Sequence, residues 1–398
     1  MKLNRRTFMG SLGSLGAAGL LPFSSFAQKE AILAPVDNLL KSPPYLQSPF
    51  PDRISVRWIN SLPCFSWVEF GEKPNALQWK ALSTDHGLVQ AYDTQNTITI
   101  QGLKPGTRYY YRVVSKVIEE FKPYKITYGD TEASEVFSFE TPGKNQEEIS
   151  FLVFNDIHDR PESFKHLMQF NNNEQHDFVF LNGDMFNYQT DEQQLIDHLL
   201  QPLGELFASN TPFYFSRGNH EMRGKFARNL PAYFNCREQN FYFSFQYGPM
   251  YAIVLDSGED KEDDAPVYAG LADFDNYRLQ QAAWLEAEVN KPAFKRAKYK
   301  VVFSHIPLYH AGDWHGTMHC RKVWGDILNK ARIDVLISGH THVYGIHAPE
   351  KGQHDYPIVI GGGPADGKRT LIKVKANRQS MDITMLDDAG KQVGQLGL

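Results

Sequence analysis

Cysteine is scarce. The chain has three in 398 residues, Cys64, Cys236 and Cys320, and no CxxC pair among them, which excludes the paired-cysteine kind of zinc site. A basic excess is missing too. Three of the 41 Lys and Arg and none of the 46 Asp and Glu fall in the first 27 residues, so the rest of the chain carries a net charge of −8. That balance argues against nucleic acid as a partner, since a basic surface is what binds phosphate backbones. No apolar run reaches the ~20 residues needed to span a bilayer as a helix. There is neither a P-loop nor a Gly-x-Ser-x-Gly elbow, so no nucleotide-phosphate cradle and no serine nucleophile are expected. What the chain does hold is aromatic carbon, with 27 Phe and 19 Tyr in a composition that is 42% hydrophobic and 22% charged. This is a globular chain with enough length for two to three domains of ~150 residues.

Residues 1–27 read as an export signal. Lys2, Arg5 and Arg6 make a positive start, a glycine-diluted apolar stretch follows to Leu21, and Ser25-Phe26-Ala27 offers small residues around a cleavage point. The Arg5-Arg6-Thr7-Phe8 run resembles a twin-arginine signal, which implies a periplasmic or secreted protein that meets the membrane only during export and crosses it folded. The mature chain would begin near Gln28. In an oxidising compartment Cys236 and Cys320 are available to pair, although spacing alone does not fix their Cα separation.

Two textures follow. From residue 38 to 142 short segments alternate with a two-residue period, as in Ile54-Ser55-Val56-Arg57-Trp58, Ser66 to Phe70, Thr97 to Ile100 and Arg108 to Val113. Strands at this spacing predict a β-sandwich. After a polar linker at 143–148 the chain changes to short unalternating apolar runs separated by helix-length segments, the pattern of an α/β layer structure with strands buried on both faces. Leu195, Leu199, Leu203 and Leu206, and later Ala283, Trp284, Ala287 and Val289, recur near helical spacing and are assigned to core.

The chemistry follows the apolar runs. Asn155-Asp156-Ile157-His158 comes after Phe154, Asn182-Gly183-Asp184 after Leu181, and Gly218-Asn219-His220-Glu221 after Phe215. Ser304-His305 comes after Phe303, and Gly339-His340-Thr341-His342 after Ile337. Strand ends thus deliver Asp, His and Asn to one sheet edge, where open α/β sheets bind ligands. If extended, Asp156 and His158 point one way, as do His340 and His342, while Gly183, Gly218 and Gly339 permit tight turns. Asp156, His158, Asp184, Asn219, His305, His340 and His342 are too many ligands for one ion with an open position. They suit two ions sharing a carboxylate.

In this order the blocks resemble the calcineurin-like metallophosphoesterase superfamily, and the preceding sandwich resembles the N-terminal, fibronectin type III-like domain of purple acid phosphatases. The resemblance implies a β-sandwich followed, over 148–398, by a four-layer α/β/β/α metallophosphoesterase domain. It also implies one metal held by Asp156, His158, Asp184 and His342 and another by Asp184, Asn219, His305 and His340. One departure stands out. Purple acid phosphatases carry a tyrosine three residues after the bridging Asp and lack the histidine of Asp-x-His, whereas here Asn187 and His158 stand at those places. A colourless protein is expected, with iron, manganese or zinc suiting the nitrogen and oxygen donors.

The expected function is therefore exported hydrolysis of a small phosphate monoester by a metal-bridging hydroxide. Asn219 and His220 are the candidate catalytic side chains, His220 to protonate the leaving alkoxide, with His315 on the loop beyond His305 as a further candidate. A phosphodiesterase on the same core is the rival within the class. A non-catalytic binding protein with a vestigial metal site is the rival outside it, and the completeness of the ligand set speaks against it.

Overall fold

The computed structural model describes residues 39–234 and 240–398; the export segment and Cys236 lie outside them. Cys320 is a buried free thiol, and among the described residues no helix is long and apolar enough to cross a membrane.

The spine of the N-terminal sandwich is a 19-residue strand, Arg53–Gly71. The sequence pattern suggests two strands here. The structure runs them together through a register shift between Ile59 and Cys64. The first half pairs with Tyr45–Phe50 and Ala91–Gln101, the second with Trp79–Ala81 and Arg108–Lys122, all antiparallel. Ile54, Val56 and Trp58 then pack against Val68, Tyr109, Tyr111 and Val113 in one core, so a single strand serves both leaves. At the corner, Tyr109 Oη accepts from the Lys104 N–H at 3.0 Å, a tyrosine corner of the kind found in sandwich domains.

The second half builds two six-stranded mixed sheets. One runs Phe213–Ser216, Phe178–Asn182, Ile149–Phe154, Thr370–Ala376, Met381–Asp387, Gln392–Gly397; the other Phe243–Tyr247, Met250–Leu255, Tyr299–Ser304, Val335–Ser338, Ile358–Ile360, Gly345–His347. The unalternating apolar runs are explained by what covers each face. Phe151, Val153, Phe178 and Phe180 point at Ala252, Val254, Val301 and Phe303 of the opposite sheet. Leu152, Phe154, Val179 and Leu181 point at Phe164, Leu195, Leu199 and Leu203 of the helical layer. A second helical layer, with Leu285, Trp324 and Leu328, covers the other sheet. The architecture is a β-sandwich followed by a four-layer α/β/β/α domain.

The helix Phe274–Glu288 corrects the sequence reading. Ala283 and Ala287 are exposed, and the buried positions are Arg278, Gln281, Leu285 and Glu288. The buried face is polar because each member has a built partner: Gln281 Oε1 accepts from the Asp256 N–H at 2.9 Å, Arg278 Nε donates to Ser257 O at 2.9 Å, and Glu288 accepts from Tyr251. The two halves of the protein are joined by tyrosine hydroxyls. Tyr45 donates to Tyr233 O at 2.8 Å and Tyr111 to Ser209 O at 2.7 Å, which fixes the sandwich against the helical run that covers the first sheet.

Candidate metal centre

Five parallel strands end at one edge, three from one sheet and two from the other, and the residues just past Phe154, Asn182, Ser216, Ser304 and Ser338 meet there. Contrary to the expectation from the spacing, the convergence does not come from extended backbone. Asp156, His158, Asp184, His340 and His342 have φ of 53°, 52°, 56°, 71° and 58°. Left-handed backbone at a residue with a Cβ costs roughly 1–3 kcal/mol, and its clustering at one place is typical of functional sites. It is held by cross-loop bonds, Asp156 N–H to Gly183 O at 3.1 Å and His158 N–H to Asp184 O at 3.0 Å. Of the glycines, Gly183 takes φ 83° as anticipated, but Gly218 and Gly339 do not turn left-handed. They are small because a Cβ there would sit 2.1 Å from Asp184 Oδ1 and 2.4 Å from Asp156 Oδ2 respectively.

Three overlapping clusters of donor atoms result, one of Asp156, His158 and His342, one of Asp184, His305 and His340, and between them one of His158, Asp184 and His220. In the first, His342 Nε2 lies 3.2 Å from His158 Nε2 and 3.3 Å from Asp156 Oδ1. In the second, His305 Nε2 lies 3.0 Å from Asp184 Oδ2, and Asn219 Oδ1 is 2.9 Å from His340 Nδ1. Asp184 reaches both, because the same Oδ2 is 3.5 Å from His158 Nε2.

The donor chemistry fits cations. His305 donates Nδ1–H to Asn182 O at 2.8 Å, so its neutral form aims a lone pair at the carboxylates from Nε2, a buried atom with no hydrogen-bond partner. Burial opposes charge on His305, but Asp184 and Asp156 outweigh it and push it up to about 10. The two carboxylates thus demand a positive partner where a metal ion would lie. Burial alone would raise Asp156, yet His305, His158 and His342 hold it well below the ordinary carboxyl range. Burial and His305 bring His340 down to about 4, which keeps its ring neutral and able to ligate.

Supporting residues that the sequence reading left without a role are now visible. Glu221 is fully buried and accepts four backbone N–H groups, from Asp184, Met185, Phe186 and Gly218, at 2.6–3.3 Å. Burial and the Asp184 charge push it up to about 7 against those donors. Asn155 Nδ2 donates to Asp156 Oδ2 at 2.6 Å and to Gly362 O at 2.8 Å. Asn187 Oδ1 accepts from His158 Nδ1 at 3.1 Å. The motif already contained Glu221 and Asn155; Asn187 was noted only for not being tyrosine.

His220 stands at the rim, 3.9 Å from Asp184 Oδ2 through Nε2. Its Nδ1–H is given to Asn187 O at 2.8 Å, so Nε2 accepts from Arg223 Nη1 at 2.9 Å, and burial lowers the ring's affinity for a proton. Arg223 is held in turn by a two-pronged pair with Glu259, 2.9 Å on each prong. Glu259, the first residue of an acidic stretch over 259–264, is itself buried. His315 departs from expectation. It opens the helix His315–Ala331, and its Nε2 lies 2.9 Å from both oxygens of Asp275, which also faces His319 and Arg278. Among the described residues it shares no hydrogen bond with the metal-facing side chains, because the local ion pair with Asp275 takes its Nε2.

Residues 149–344 match the calcineurin-like phosphoesterase family, and residues 45–141 match the purple acid phosphatase N-terminal domain. The chain is a purple acid phosphatase-like metallophosphoesterase. It is 25% identical over 372 residues to probable purple acid phosphatase 20 of Arabidopsis thaliana, covering 87% of this chain and 78% of that one. Purple acid phosphatase 21 of the same plant is 26% identical over 332 residues, covering 77% and 68%. In fold the metallophosphoesterase is similar to the purple acid phosphatase of yellow lupin (Lupinus luteus) seeds, with a TM-score of 0.69 at 15% identity over 90% of this chain and 75% of that one. It is also similar to the solved structure of PhoD, with a TM-score of 0.62 at 13% identity over 92% and 90%. The chain is a metal-dependent phosphoester hydrolase.

Proposed function

We propose that the protein is exported and hydrolyses phosphate monoesters at a binuclear centre. Asp156, His158, Asp184 and His342 would hold one ion and Asp184, Asn219, His305 and His340 the other. The observation that carries this reading is the pair of donor clusters with the Asp184 carboxylate between them. The monoester preference is supported by the naming of the relatives as phosphatases, and export by the Arg5-Arg6 segment with its apolar stretch. Iron, manganese or zinc suits the all-nitrogen and oxygen donor set.

Such ions, when bound, make water acidic enough to attack at neutral pH and polarise phosphoryl oxygens. The protein's own residues do the rest. Asn155 and Glu221 hold the ligand loops. Asn219, turned by its oxygen toward His340, keeps its amide hydrogens for a phosphoryl oxygen. His220 is fixed through Nδ1 by Asn187 O and accepts through Nε2 from Arg223, and that Arg223 N–H would be the donor offered to the leaving oxygen as its negative charge grows.

Metal analysis of the purified chain and initial rates on an aryl phosphate and a bis-aryl phosphate test the reading together. Near two ions per chain and faster monoester turnover are expected. A diester kcat/KM higher by about tenfold overturns the monoester assignment, and a metal-replete protein that turns over neither ester supports the binding-protein alternative.

A further inference from the structure

Outside the binuclear centre, a second convergence of nitrogen and oxygen donors lies where the loop beyond His305 meets the turn before the strand Ile358–Ile360. His310, Glu350 and His354 bring one ligand atom each within 4.8 Å of one another. His310 Nε2 and His354 Nε2 are 3.2 Å apart, close to the ~3.3 Å edge between two nitrogens on a tetrahedral zinc with ~2.05 Å bonds. We propose that His310, His354 and Glu350 form a third metal site for a zinc-class divalent cation, independent of the phosphoester-cleaving pair.

The tautomers support a cation. His354 is fully buried and donates Nδ1–H to Tyr356 O at 2.7 Å, so its Nε2 is a lone pair aimed at His310. A ligating histidine typically has this arrangement, its second nitrogen fixed by a carbonyl. The remaining elements are consistent. His310 takes φ 64°, in the left-handed region that residues with a Cβ adopt uncommonly. His347 stacks flat on the His310 ring, with centroids 3.9 Å apart and planes at 9°. Tyr309 Oη donates to Gln353 O at 2.7 Å, which ties the same two segments together beside the cluster. Glu350 and His310 are exposed while His354 is buried, so an ion can enter from solvent and be gripped from below. Three protein donors leave one position for water. The site would clamp the loop that leaves the metal-facing His305 onto the turn 350–356.

A hydrogen bond from His310 Nε2–H to His354 would give the same nitrogen distance without an ion, and the experiment separates the two. Full-length wild type, His310→Gln and Glu350→Gln are stripped with a chelator, reloaded with excess Zn²⁺, desalted and analysed for metal, with protein concentration from amino-acid analysis. The wild type is expected to retain one ion more per chain than either variant. Phosphoester turnover should be unchanged in the variants, because neither residue faces the binuclear centre. Both substitutions are at exposed positions, so folding is not in question, and melting curves in Zn²⁺ should show the extra stabilisation only in the wild type. Equal zinc content and equal melting shifts in all three proteins overturn the proposal. Loss of zinc from the binuclear centre in every protein would instead count against the phosphoesterase reading, and the wild-type-minus-variant difference of one ion would still decide the third site.

Discussion

Asn187 Oδ1 lies 3.1 Å from His158 Nδ1. The two residues that depart from the purple acid phosphatase pattern are thus hydrogen-bonded to each other and form one replacement. On the proposed reading, a tyrosine at 187 would ligate directly, and the asparagine there instead orients His158, the candidate ligand. Outer hydrogen bonds of this kind typically govern metal affinity by 10–100-fold. Asn187→Ala is expected to weaken binding of one ion by about that factor, read by competition with a chromogenic chelator. The iron-loaded wild type should show no tyrosinate charge-transfer band in its visible spectrum, and a violet protein would refute the pairing.

Glu221 joins two of the loops that carry candidate ligands by accepting directly from four N–H groups. Glu221→Gln keeps the shape but turns one acceptor into an NH₂ that faces N–H donors. Each orphaned buried N–H costs about 1–3 kcal/mol, so the variant should melt several degrees lower and retain less than the wild-type metal content after desalting. A variant with wild-type melting and metal content would show that the carboxylate is dispensable.

Much of the candidate centre was legible because the donors that converge there come in short blocks placed directly after apolar runs, and the runs themselves revealed the buried strands. What was not legible depends on long-range partners. Glu221 was in view, but three of its four N–H partners lie 35–37 positions earlier and all are backbone, which carries no side-chain signal. The buried polar face of Phe274–Glu288 defeats a reading based on apolar period, since Arg278, Gln281 and Glu288 are inside only because Ser257, Asp256 and Tyr251 meet them. The last strand, Gln392–Gly397, has no apolar run and is recognisable only by its pairing with Met381–Asp387. His315 looked like a site residue by spacing, but spacing could not reveal Asp275.

His176 makes stability depend on pH. Burial holds its proton affinity below the ordinary histidine value; Nδ1–H goes to Glu174 O at 3.3 Å and Nε2 has no partner. The unfolded chain takes a proton near pH ~6.5 and the folded chain does so only at lower pH. Stability from this group is therefore complete above that value and declines as pH falls through it. His176→Gln, which cannot titrate, should show a smaller drop in Tm between pH 7 and pH 5 than the wild type. Equal drops would assign the acid sensitivity to other groups.

Arg223 and His220 form a unit whose two members should fail differently. His220 sits 3.9 Å from Asp184 Oδ2, and Arg223 donates to its Nε2 while Glu259 grips the guanidinium from behind. If His220 acts on the departing oxygen, His220→Ala should lower kcat by about 10²–10⁴-fold, with metal content measured on the same sample because His220 shares a donor cluster with His158 and Asp184. Arg223→Lys keeps a charge but cannot span Glu259 and His220 at once, since an ammonium lacks the planar fork. It should lose about tenfold or more in kcat, an effect appearing in the transition state rather than in KM. The sharpest check is leaving-group dependence. Aryl phosphates with acidic phenols need no proton on departure, so the deficit of both variants should shrink along that series, and a deficit independent of phenol acidity would move both residues from leaving-group stabilisation to substrate binding.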